Sequence, residues 1–157
     1  MSDPYDEDTV RWSERQAMLL RCVASGEPPN EAPDWLNIIE EIESVGRSER
    51  SALASRVRTI IEHLAKLEAS PAIDPRASWM ETVSWARADI EELLEASPSL
   101  KATVDKVVAR ECSRALRLAA VALAAHRETS RVPLEGLRYS SDQVLGPWLP
   151  EEPSRKA

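Results

Sequence analysis

Apolar residues recur at intervals of three and four along most of the 157-residue chain, the spacing that places them on one face of an α-helix. Prolines and glycines divide this pattern into four long segments, at about residues 4–25, 34–67, 75–97 and 97–130. No segment shows the two-residue period of a strand. Because each segment has a single apolar stripe, the four stripes should meet around one core. The pattern therefore predicts an all-α fold, an antiparallel up-and-down four-helix bundle.

Residues that favour helix ends lie at the segment boundaries. Gly26 should stop the first helix, and Asp34 should cap the start of the second. Ser97, followed by proline, should begin the fourth. Near the C-terminus, Ser140 or the serine after it should cap one short helical turn. We expect a single domain over residues 1–150 and a disordered tail over residues 151–157.

The stripes also predict which side chains form the core. Gly46 falls on the stripe of the second segment, where glycine costs ~1 kcal/mol relative to alanine. We therefore expect a bend or break in the helix within a few residues of it or, if the helix runs straight, close packing of another helix at the glycine. The predicted core is lined by Trp12, Leu19, Ile42, Leu53, Ile60, Leu64, Trp79, Ile90, Leu93, Val104 and Leu118.

Composition and charge narrow the classes of function. The net charge of -7 argues against nonspecific binding to nucleic acid or to acidic membranes. The acidic N-terminus has no apolar stretch typical of a signal peptide, and no apolar run reaches the ~18 residues that span a bilayer. We expect a cytoplasmic protein. Cys22 and Cys112 form no CxxC pair, and we interpret them as buried or half-buried thiols.

Several polar residues fall on or beside apolar stripes. Glu111 is centred on the stripe of the fourth segment, and a charge that faces a core has to be paired or neutralised. We therefore predict that Glu111 is at least partly buried and contacts an arginine, lysine or histidine of another helix. A structural network that fixes helix register is the favoured interpretation. The candidate functional polar residues are Asp8, Gln16, Asn37, Glu40, Glu43, Glu49, Arg50, His63 and Glu111.

A basic strip runs along the fourth segment, opposite its apolar stripe. It comprises Lys106, Arg110, Arg114 and Arg117 within an arc of ~80°. A solvated surface is the simplest interpretation. The alternatives are docking of an acidic partner, docking of an acidic region of another copy, and contact with a phosphate backbone, which the acidic net charge and the lack of interleaved aromatics disfavour. Arg110, Arg114 and Arg117 are the candidate partner-docking residues.

Several short motifs along the chain occur in the combination and spacing of one known protein family. They include a tyrosine, aspartate, tryptophan and glutamine at helical spacing, and a central Glu-Ser-hydrophobe-Gly-Arg-Ser-Glu-Arg. They comprise Tyr5, Asp8, Trp12, Gln16, residues 19–21, Asn37, residues 40–50, His63, Leu64, Lys66, Ser78, Trp79, residues 97–100 and residues 148–150. Over residues 5–150 the chain resembles the bacterial family catalogued as domain of unknown function 29.

The resemblance implies an all-helical fold and no established reaction. Members of that family usually show an aromatic and an acidic residue in the fourth helix. This chain has Cys112 and Arg114 at those places, so a role that depends on the two groups does not carry over.

Two classes of function remain. The first is a non-catalytic protein–protein interaction module that binds a cytoplasmic partner or a second copy of itself. It fits the clean bundle pattern and the lack of a catalytic motif. The second is a small enzyme or metal-binding protein with a carboxylate and histidine site between helices. The Glu-x-x-His repeats of di-iron bundles and the His-Glu-x-x-His motif are both missing from the sequence. We expect the first class, with no cofactor and no metal.

Overall fold

The computed structural model describes residues 4–152, and the predicted all-α fold is confirmed there: these residues contain six α-helices and no strand. None of these helices combines the length and the apolar content that a membrane crossing requires. The helices are α1 (Pro4–Glu7), α2 (Thr9–Ser25), α3 (Trp35–Ala69), α4 (Arg76–Ala96), α5 (Val104–Ala125) and α6 (Ser141–Leu145), with 3₁₀ turns at Pro98–Thr103 and Leu134–Gly136.

Three of the four predicted helix-end residues act as predicted. The fourth, Ser97, begins the 3₁₀ turn Pro98–Thr103 without a capping hydrogen bond from its side chain, and α5 starts only at Val104. Gly26 has a left-handed φ of 78° and ends α2. The Asp34 carboxylate accepts the backbone N–H of Asn37 at 3.4 Å and so caps the start of α3. At α6, Ser140 accepts the backbone N–H of Gln143, whose side chain in turn accepts the N–H of Ser140. This reciprocal capping box satisfies two N–H groups that the helix leaves unpaired.

The chain divides into two compact units, and the boundary falls inside α3. The hairpin unit is residues 1–48. In it, α2 and the first part of α3 run antiparallel, because Tyr5 contacts Glu41 while Gln16, further along α2, contacts Asp34. The predicted single domain, with all four long helices around one core, stays a prediction.

The core unit is residues 49–157. Glu49 of α3 contacts Ser97 at the end of α4, and Arg56, two turns later in α3, pairs with Asp89, two turns before the end of α4, so these helices are antiparallel. This part of α3 runs parallel to α5, because Arg58 contacts Glu111 and, beyond the ends of both helices, Ser70 contacts Glu128. One apolar cluster lies between the three helices, and the chain after α5 adds Tyr139 and Val144, which the predicted core omitted. The least exposed cluster members are Leu53, Val57, Ile60, Ile61, Leu64, Ala65, Val83, Ile90, Ala115, Ala119 and Val144.

Most of the predicted core is buried, but two positions are wrong. Ile42 is 69% exposed, because α2 packs on the side of α3 that carries Ile38 and Glu41. Leu118 is 45% exposed, because the chain after α5 covers the side of that helix that carries Leu116. The buried predicted residues are Trp12, Leu19, Leu53, Ile60, Leu64, Ile90 and Val104, and the partly buried ones are Trp79 and Leu93.

Gly46 lies inside an uninterrupted helix, so the predicted break is wrong, and a bend stays a prediction. The unit boundary follows it by two residues, after Ser48. In the predicted tail, residues 151 and 152 are exposed and non-helical. The other five tail residues, 153–157, lie outside the described part of the chain.

Candidate functional site

The polar residues of the N-terminal motifs meet around the start of α3. The Asp34 carboxylate accepts the indole N–H of Trp12 at 3.0 Å and the side-chain amide of Asn37 at 2.8 Å. The side-chain oxygen of Gln16, which is 7% exposed, accepts the backbone N–H of Asp34 at 2.9 Å. The hydrogen bond from Asn37 lowers the pKa of Asp34, against the opposing effect of partial burial. These bonds fix α2 against the start of α3.

Tyr5 and Asp8 complete this corner of the hairpin unit. The Tyr5 hydroxyl donates to Glu41, and this hydrogen bond raises the pKa of Tyr5. The Tyr5 ring meets the Trp12 ring edge-on, with centroids 4.8 Å apart. Asp8 lies between α1 and α2 and caps α2 by accepting the backbone N–H of Arg11 at 3.0 Å. Asp8, Gln16 and Asn37 each have a local structural contact here.

The acidic candidates of α3 are paired within their own helix. Glu40 and Glu43 both bind Arg47, the latter at 3.4 Å. All three side chains are about half exposed or more. Ion pairs of this kind on a solvated surface contribute little to stability, roughly 0–1 kcal/mol. The arrangement is that of a solvated helix face.

The remaining α3 candidates lie in the core unit. His63 Nδ1 is 2.9 Å from the backbone oxygen of Thr59, one turn earlier in the same helix. Glu49 accepts the Ser97 hydroxyl at 3.3 Å, and Arg50 is exposed. Throughout residues 4–152, no three or more His, Cys, Asp or Glu side chains are grouped as a metal site would require.

Among the described residues of the core unit, Glu111 is the most deeply buried charged residue, at 1% exposed. Its Oε1 accepts the Nε of Arg110 at 2.9 Å and the Nη1 of Arg114 at 3.4 Å. Its Oε2 lies 3.6 Å from the Nε of Arg58 on α3 and has no hydrogen bond. The predicted burial of Glu111 and its contact with an arginine of another helix are confirmed.

The arginines around Glu111 remain at the surface. The side chains of Arg110, Arg114 and Arg58 are 58%, 55% and 36% exposed. Three guanidinium groups thus surround one carboxylate. Arg117, also exposed, follows Arg114 by one turn of α5. We call these four arginines the arginine face.

The arginine face can bind anions but is a poor proton donor. Guanidinium groups stay protonated under all ordinary conditions, and their planar fork matches a carboxylate. The sequence pattern does not predict the contact between Arg58 and Glu111. The buried Glu111 signalled a basic partner, but Arg58 lies at the edge of the α3 stripe, and nothing in the sequence selects it over its neighbours.

The fold and these sites define a small all-α protein whose candidate polar residues, within residues 4–152, serve mainly as helix caps and ion pairs. Residues 4–149 match the family model described as domain of unknown function DUF29, and the chain belongs to this family. Neither a curated protein nor a solved structure matches the chain.

Proposed function

We propose that this DUF29 protein is a non-catalytic protein–protein interaction module whose arginine face docks an acidic segment of a partner protein. The main support is the charge imbalance around Glu111, where three arginines contact one carboxylate. The surplus positive charge lies on the surface of a chain whose net charge is -7. A local patch opposite in sign to the whole molecule favours one orientation of an acidic partner.

The buried carboxylate of Glu111 preorganises the neighbouring arginine side chains for binding. A free arginine side chain loses rotamer entropy when a partner immobilises it, at about 0.5–1.5 kcal/mol for each side chain. Hydrogen bonds to Glu111 already restrict the rotamers of Arg110 and Arg114 in the unbound protein. Partner binding therefore causes a smaller loss of rotamer entropy at these two side chains. The guanidinium groups keep N–H donors that point away from Glu111 and can bind a second carboxylate.

Apolar surface next to the arginines supports a protein partner. Leu118 and Val121 of α5 are 45% and 67% exposed and lie within about one turn of Arg117. Interfaces between proteins combine arginine with exposed apolar side chains at their centre. An amphipathic acidic helix fits this combination better than a phosphate backbone does.

The test uses residues of the basic strip that leave Glu111 paired. In the charge-reversal variant, Lys106→Glu and Arg117→Glu change two exposed positions without touching the buried carboxylate. The matched control, Lys101→Glu with Arg21→Glu, changes two other exposed basic residues and has the same net charge. Each protein is used to capture partners from source cells, and captured proteins are identified and tested again as purified components.

We expect wild type and control to bind the same acidic partner and the strip variant to lose it. Binding should weaken steeply with salt, because exposed charges are screened within ~8 Å at physiological ionic strength. Equal helical content and melting temperature would show that the variants fold. The two introduced glutamates lie about one turn of α5 from Arg110 and Arg114 and should repel an acidic segment bound there. Equal capture by the strip variant and the control would therefore refute the arginine face as the docking surface.

The alternative is a carboxylate and histidine site that binds metal or performs catalysis. No contact in the described residues favours it, since Asp8, Glu43 and His63 each have a local partner. Elemental analysis of protein purified without an affinity tag tests it directly. Stoichiometric metal would support this alternative against the proposed function.

A further inference from the structure

An open cavity of about 580 Å³ lies in the core unit between α5 and the chain segment that follows it. Its size is within the range of about 300–1,000 Å³ typical of small-molecule sites. Mainly apolar residues form the floor, and charged residues form the rim. The lining residues are Ala109, Cys112, Ser113, Leu116, Arg117, Ala120, Leu134, Glu135, Arg138 and Tyr139.

The cavity floor offers apolar contact and little hydrogen bonding. Leu116 is buried and Leu134 is half-buried, and the exposed Ala109 and Ala120 have short side chains on one face of α5 that leave room beside them. Tyr139 is 8% exposed, and its hydroxyl donates to Glu68 at 2.9 Å, a residue that does not line the cavity. The tyrosine therefore presents its ring, and its polar group is already satisfied.

The rim carries one surplus positive charge. Arg117 and Arg138 stand against Glu135. The Nη1 of Arg138 donates to the backbone oxygens of Leu137 at 2.6 Å and Glu135 at 3.0 Å. These bonds hold the Arg138 guanidinium at the mouth of the cavity and leave its other donors for a ligand.

We infer that this cavity binds an elongated apolar molecule with a single carboxylate, of the medium-chain fatty acid class. The chain lies on the apolar floor, and the carboxylate pairs with Arg117 and Arg138. One negative charge balances the rim. A doubly charged phosphate would leave excess negative charge beside Glu135. This binding does not depend on the proposed docking of a protein partner.

Titration calorimetry with decanoate tests the inference. Hexanoate, octanoate and decanoate should bind with successively lower Kd, by roughly fourfold for each added methylene that is buried. Decanol, decylamine and decyl phosphate share the chain and differ in headgroup, and all three should bind more weakly than decanoate. Equal or tighter binding of any of them would overturn the carboxylate assignment, and no binding of decanoate would overturn the inference as a whole.

Single variants test the contributions of the cavity floor and of the cavity rim to decanoate binding separately. Arg117→Gln should raise the Kd for decanoate by at least about tenfold, the smallest effect expected from losing a hydrogen bond to a charged group. Lys106→Gln removes a charge from the same helix outside the cavity and should have no effect. Ala120→Phe should fill the cavity and abolish binding. An unchanged Kd in either Arg117→Gln or a folded Ala120→Phe would contradict the assigned site.

The two cysteines provide a readout that does not require a variant. Cys112 lines the cavity, whereas Cys22 belongs to α2 in the hairpin unit. Bound decanoate should slow alkylation of Cys112 by N-ethylmaleimide, at least threefold at saturation, and leave Cys22 unchanged. Equal slowing at both thiols, or none at Cys112 when calorimetry shows binding, would place the ligand elsewhere. Arg114→Gln should leave this protection intact even if it weakens capture of a protein partner.

Discussion

Removing the arginines around Glu111 should destabilise the protein more than neutralising Glu111 itself. The reason is an asymmetry in burial: Glu111 is 1% exposed, whereas its partners Arg110 and Arg114 are more than half exposed. Without its arginines, the carboxylate remains buried and underpaired. Without the carboxylate, the arginines are still solvated.

The magnitudes follow from the contacts. In the double variant Arg110→Gln/Arg114→Gln, Glu111 keeps only Arg58, at 3.6 Å. Leaving a buried ion without its partners costs on the order of 3 kcal/mol. Glu111→Gln preserves the volume of the side chain and gives up ion pairs to half-exposed groups, each worth at most about 1 kcal/mol. It also removes a buried charge, so we expect a loss of less than about 1.5 kcal/mol.

Urea denaturation followed by circular dichroism measures these free energies. The triple variant Arg110→Gln/Glu111→Gln/Arg114→Gln should regain at least half of what the double variant loses, because no charge then remains buried. Arg117→Gln is the control and should stay within about 0.5 kcal/mol of wild type. The reasoning is refuted if the triple variant is no more stable than the double variant, or if Glu111→Gln alone costs as much as removing both arginines.

Three further predictions concern single side chains. Burial, then the charge of Glu68 and the hydrogen bond to it, raises the pKa of Tyr139 above its ordinary 10.0, so the proton is held more tightly in the folded state. The stability that this group contributes is complete below pH 10 and is lost as the pH rises above 10. Tyr139→Phe should lower the free energy of unfolding by ~1 kcal/mol at pH 8. Above pH 10, the denaturation midpoint of the variant should fall less with pH than that of the wild type. Asp34 has a lowered pKa, so the stability that it contributes is present above its ordinary pKa of 3.8 and is lost as the pH falls below that value. Asp34→Ala should lower the free energy of unfolding by ~1 kcal/mol at pH 7, measured by chemical denaturation, and the stability of the variant should fall less steeply below pH 4. An equally steep fall in the variant and the wild type would contradict this. Gly26→Ala places a side chain at φ 78° and should cost ~1 kcal/mol, observed as a lower melting temperature, whereas an unchanged melting temperature would show that the turn relaxes without strain.

The helices and their ends could be predicted because they depend on neighbouring residues. Gly26, Asp34 and Ser140 act through hydrogen bonds or dihedral angles within a few positions of themselves. The 3.6-residue period likewise depends only on the chain nearby. A glycine inside a helical segment predicts a helix end less reliably than one at a segment boundary, since α3 continues through Gly46. A cost of ~1 kcal/mol is small beside the contacts that hold a 35-residue helix.

Burial was harder to predict because a stripe does not reveal what covers it. On the first part of α3, Leu36, Ile39, Ile42 and Val45 are all more than half exposed, although they have helical spacing. The position of α2, set by the Asp34 network, decides which side of α3 the hairpin unit buries. That network depends on side chains 18 to 22 residues apart, which periodicity does not pair.

Glu111 shows how a correct local prediction leads to a function only through tertiary contacts. Its place on the α5 stripe predicted a buried acid, and the structure adds that three surface arginines share it. A buried ion pair is an inefficient way to stabilise a core, because desolvation offsets most of the attraction. Its clearer effect is to hold Arg110 and Arg114 in one orientation. If that orientation serves an acidic partner, Glu111→Gln should keep the fold and weaken partner binding, even though it makes the arginine face more positive.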